Sequence, residues 1–168
     1  MVDVINMETS TLALLKKIFQ DSKRHVLFLA VVSPTGEPCL RGAQLVQEIF
    51  EENDSDKLYG AIVWTPMLET DDIDAANERD SQFSDPRVQQ FWDQDRIVGQ
   101  YLSQTLKLNE SIAWDVYLVY LPDHSWDAKL PPVTGFWMHQ LNEEPTLLLD
   151  SPRLKQYVQT LLERTVLQ

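Results

Sequence analysis

The stretch from Val26 to Val32 constrains this chain more than any other, because it is apolar at every position and ends abruptly in Ser33-Pro34-Thr35-Gly36-Glu37-Pro38-Cys39. A strand with one wet face alternates apolar and polar residues, whereas an unbroken run bounded by turn residues suits a strand covered on both faces. After the turn the pattern changes period. Gly42, Ala43, Val46, Ile49 and Phe50 recur at helical steps, so one apolar stripe runs along a helix of about Pro38 to Glu52 and should pack on the sheet. A second strand follows the polar turn Asn53-Asp54-Ser55-Asp56, at Leu58 to Trp64. Strand, helix and strand at this separation predict a right-handed crossover and a parallel pair, with chemistry at the carboxyl ends of the strands.

Upstream, Met7 to Ser22 reads as a helix through Leu12, Leu15, Ile18 and Phe19, with Thr9 or Ser10 as its cap. Downstream, Thr65-Pro66 ends the second strand, and Glu69 to Asp80 reads as an acidic surface excursion in which Asp71, Asp72 and Asp74 are solvated. Asp85-Pro86 predicts a capped helix through Val88, Phe91, Trp92, Val98, Tyr101 and Leu102, with Asp93 to Arg96 as its point of interruption. Residues 116–121 and 135–141 predict two further strands, and Asp150 or Ser151 caps a last helix that turns Leu154, Tyr157, Val158, Leu161 and Leu162 inward.

A chain of 168 residues with 43% hydrophobic content is large enough for one domain with a sizeable core. Its net charge of −12 argues against nucleic acid and anionic membranes as partners. No run approaches the roughly eighteen apolar residues of a membrane span, and no leader pattern is seen, so a cytoplasmic location is expected. Cys39 is the single cysteine, which forbids an intrachain disulfide and leaves no cysteine cluster for zinc. His25, His124 and His139 lack ligand spacing, so neither a metal nor a cofactor is expected.

The turn Gly36-Glu37-Pro38-Cys39 has the form of a Cys-x-Pro-Cys redox motif whose first cysteine is glycine. On these residues the chain resembles the thioredoxin-like superfamily, and within it uncharacterised bacterial thioredoxin-like proteins. The resemblance implies a three-layer α/β sandwich, with a central mixed sheet of about four strands and helices on both faces. It implies a single domain over residues 1–168 with an extended helical insertion at about 65–114. In that superfamily the dithiol sits between a strand and a helix N-terminus, where the dipole favours a thiolate. The family's cis-proline position falls near Ala113-Trp114-Asp115, where this chain has no proline.

The implied functions are two. One is a binding or accessory module that has lost dithiol exchange; the other is a monothiol redox enzyme in which Cys39 forms mixed disulfides with a small thiol or a protein partner. Cys39 is the candidate catalytic residue, and Gly36, Glu37, Pro38, Arg41, Trp64, Trp114 and Asp115 are the candidate binding residues around it.

Overall fold

The computed structural model describes residues 5–6, 12–79 and 83–166. In chain order the elements are β1 (Ile5–Asn6), α1 (Leu12–Asp21), β2 (Val26–Val32), α2 (Glu37–Glu52), β3 (Leu58–Trp64), α3 (Ile73–Glu78), β4 (Val88–Trp92), α4 (Ile97–Leu106), β5 (Val116–Tyr120), β6 (Phe136–His139) and α5 (Ser151–Val166). The strands form one mixed sheet in the order β1-β4-β3-β2-β5-β6. β2 pairs in parallel with β3 from Val26↔Leu58 to Val32↔Trp64, and antiparallel with β5 on its other side.

The apolar run is buried at every position, and its pleat divides it between two cores. Val26, Phe28, Ala30 and Val32 join α2 and α5 on one face, while Leu27, Leu29 and Val31 join α1 and α4 on the other. Each large side chain so buried contributes about 1.5 to 3 kcal/mol relative to exposure, before ordering entropy is subtracted. The helix stripe falls as its period requires, with Ala43, Val46, Ile49 and Phe50 all buried against the sheet. At the far end of the chain Asp150 accepts from the Arg153 amide at 3.0 Å and caps α5.

One expectation about the elements needs correction. The segment from Pro86 to Trp92 is not the first part of a helix: Val88–Trp92 is a strand, paired in parallel with β3 from Gly60↔Val88 to Trp64↔Trp92. Val88, Phe91 and Trp92 suit a helical stripe by spacing, but β3 offers a free edge whose ladder bonds a helix could not satisfy. Helix begins only at Ile97, beyond the expected interruption, after Arg96 at φ 57. The sheet is the expected mixed sheet with helices on both faces; with β1 and β4 it has six strands among the described residues, and the 65–114 segment carries a sheet strand between two helices. The expected caps Thr9 and Ser10 lie outside the described residues.

Candidate functional site

The site lies where β2 gives way to α2, at the carboxyl ends of the parallel strands. Gly36 is the N-cap, with φ −70 and ψ 122, and Pro38 occupies the first turn, where its missing N–H costs nothing. Leu40 closes that turn by donating to the Gly36 carbonyl at 2.9 Å. Because Cys39 falls on the sheet side of the helix, its side chain is fully buried, while Glu37 and Arg41 stay outside as an exposed pair 3.5 Å apart. Such a pair contributes little in water.

Beneath the turn, Asp115 and Tyr117 face the sulfur, and Gln140 ties them to the helix start. Asp115 enters β5 in a left-handed conformation, φ 55, which Asp tolerates better than most side chains, and is 3% exposed. Its carboxylate accepts from the Tyr117 hydroxyl at 2.6 Å and from Gln140 Nε2 at 2.8 Å. The same Gln140 nitrogen donates to the Pro38 carbonyl at 2.8 Å, so one amide ties the helix start to the start of β5. The Tyr117 ring lies where a side chain on Gly42 would be, since a Cβ there would stand 1.7 Å from its oxygen. Gly42→Ala should therefore lower stability by about 2 kcal/mol in urea unfolding, with overpacking outweighing the roughly 1 kcal/mol gained in helix propensity. A rise in stability would mean that the ring does not occupy that space.

Burial is the largest influence on the Cys39 thiol and pushes it well above the usual thiol range; the Asp115 charge adds to this, and a backbone hydrogen bond with Ser33 works the other way. Burial, then Asp115, likewise holds Tyr117 in its phenol form. At neutral pH the site thus holds a protonated thiol and a protonated phenol. It has no second sulfur for exchange.

A second network fixes the turn from above. Asp71, 9% exposed, is not a solvated loop acid: it accepts from Ser33 Oγ, Thr35 N, Thr35 Oγ1, Met67 N and Leu68 N, at 2.6 to 3.1 Å. Ser33 Oγ in turn accepts from the Gly36 amide at 3.0 Å. Asp72 caps α3 through the Ala75 amide at 2.7 Å.

Of the candidate residues, Gly36, Glu37, Pro38, Cys39, Arg41 and Asp115 belong to this junction, and Trp114 packs half-buried against the core cluster that contains Cys39. Trp64 does not border the rim. It is fully buried, and its indole donates to Gln90 Oε1 at 2.9 Å. Ser33, Asp71, Tyr117 and Gln140 were not among the candidates. Gly42 in mid-helix carried a readable hint, because glycine is costly there unless another group approaches closely.

The backbone is similar to that of a secreted Mycobacterium tuberculosis disulfide oxidoreductase homologous to E. coli DsbE, with TM-score 0.55 and 12% identity over 84% of this chain and 86% of that one. The fold is thioredoxin-like. A thioredoxin-like protein studied in its oxidized form gives TM-score 0.54 and 17% identity, covering 84% of this chain and 80% of the other. A SCO1/SenC family lipoprotein from Bacillus anthracis gives TM-score 0.52 and 9% identity, covering 85% and 84%. No protein-family model matches the sequence, and the search of curated proteins gave no match. Within this thioredoxin-like fold the turn Gly36-Glu37-Pro38-Cys39 occupies the junction between β2 and α2, with glycine at the cap and the Cys39 side chain turned inward.

Proposed function

We propose that the protein is a thioredoxin-like accessory module that holds its partner without covalent chemistry, having lost dithiol–disulfide exchange. The observation that carries this reading is the burial of Cys39 beneath its own helix turn, where low dielectric and the Asp115 carboxylate keep the sulfur protonated. Exchange requires a thiolate that reaches the disulfide it attacks. Neither condition is met by a sulfur with no solvent exposure, whereas Glu37, Pro38 and Arg41 remain on the surface around it.

The alternative, a monothiol enzyme working through mixed disulfides, makes the opposite demand on the same atom. Iodoacetamide labelling at neutral pH separates them. The native protein should label at least about 100-fold more slowly than the guanidinium-unfolded chain, and its rate should still be climbing at pH 10. A native rate at or above that of an ordinary cysteine overturns the module reading in favour of the monothiol enzyme.

A further inference from the structure

On the far edge of the sheet a groove of about 460 Å³ runs between β6 and α5. Its floor is apolar. Phe136 and Tyr157 stack at 4.6 Å between centroids, and Leu161 continues the floor along the helix. Leu121, 41% exposed, and the Tyr157 hydroxyl converge on Gly135, where a Cβ would lie 2.8 Å and 3.3 Å from them, so the apolar surface extends past the start of β6.

Its two ends are cationic. Arg153 lies 5.0 Å over the Phe136 ring, and Arg164 stands near Tyr157 at the other end of the helix. In a chain of net charge −12, neither arginine makes an ion pair among the described residues, and no carboxylate lines the groove. Arg153 sits in the first turn of α5, whose start is capped by Asp150 through the Arg153 amide, and its guanidinium donates to the Thr146 carbonyl at 2.7 Å. A bound anion would supply the counter-charge that neither arginine has among the described residues.

The edge beside the groove is also open. β6 is the terminal strand of the sheet; its His139 end is covered by Leu148 and Leu149, whereas no strand pairs with the outer side of Phe136 and Trp137 among the described residues. An uncovered edge is a template for an added strand.

We infer that this groove binds an extended acidic peptide segment of a partner protein, its central apolar side chain on Phe136 and Tyr157 and its carboxylates on Arg153 and Arg164. The dimensions agree: the arginines stand eleven positions apart along the helix, about 16 Å, which an extended chain spans in about five residues. Carboxylate pairing with guanidinium supplies the ends, and ring contact the middle. The groove stands on its own residues, so this inference holds whether or not Cys39 proves reactive.

The test is fluorescence anisotropy on the full chain, with a fluorescein-labelled peptide of about seven residues whose central phenylalanine is flanked by valines and whose ends are aspartate and glutamate. Saturable binding is expected, weakening as salt is raised. A peptide with lysine at both ends should bind at least about tenfold more weakly, and Arg164→Glu, which removes no packed group, should lower affinity for the acidic peptide at least about tenfold. Arg153→Glu should do the same. Equal binding of the two peptides, or no loss in either variant at unchanged circular dichroism, overturns the inference. So does displacement of the peptide by 3-phenylpropionate at equal concentration, which would make the groove a small-molecule site. Sedimentation provides the last arm: a dimer dispersed by Arg164→Glu would make a second copy the occupant and overturn it too.

Discussion

Gly36→Cys is expected to create a closed dithiol centre, oxidising to a disulfide with Cys39 under mild oxidant. The backbone at Gly36 already has a conformation open to any L-residue, φ −70, so the glycine is not required by the turn. A Cβ there would meet Ser33 Oγ at 3.1 Å and Leu68 Cδ1 at 3.4 Å, which asks those side chains to yield by a few tenths of an ångström. Positions three apart at a helix start are about 5 to 6 Å apart, within the span that a disulfide bridges. The new thiol would sit at the positive end of α2, where a thiolate is favoured, and Cys39 would be the shielded partner. Intact mass and thiol titration before and after oxidation decide the matter. The expected result is loss of both titratable thiols with retained circular dichroism; two persistent free thiols would mean that the sulfurs do not face one another across the turn.

Asp71→Ala should destabilise the fold by about 3 kcal/mol or more, the largest loss expected from any single acidic residue here. The substitution leaves the amides of Thr35, Met67 and Leu68 and the hydroxyls of Ser33 and Thr35 without the acceptor they share. Water can reach only some of them, since the carboxylate is 9% exposed. Asp72→Ala removes one cap bond at an exposed helix start and should cost only about 1 kcal/mol. Urea midpoints of the two variants measure the difference between neighbours in one acidic run. Because the Asp71 bonds hold the turn over Cys39, the Asp71→Ala variant should also label faster with iodoacetamide in its native state. Equal midpoints for the two variants would mean that Asp71 does not anchor the loop.

Much of the fold was legible because it is locally encoded. The all-apolar Val26 to Val32 run, the helical stripe beyond it and the Asp150 cap each follow from residues within one or two turns of each other. β4 was not legible, because Val88, Phe91 and Trp92 satisfy the spacing of a helix and a strand alike. The vacant ladder beside β3, over twenty residues away in sequence, decided between them. The same holds at the site. Three acids at positions 71, 72 and 74 read as one solvated patch, yet only the first meets the turn 36 residues upstream.

The sequence alone determined that one thiol is present, that it lies at the start of a helix entered from a buried strand, and that a dithiol cycle within the chain is closed to it. Those are matters of composition and local period. Tertiary structure decided that this sulfur points inward, that Asp115 and Tyr117 face it with Gln140 bound to Asp115, and that two arginines of α5 flank the rings of Phe136 and Tyr157. The physical reason is that burial, and the displacement of a thiol's protonation that follows from it, is a property of neighbours, and the neighbours come from strands and loops far apart along the chain.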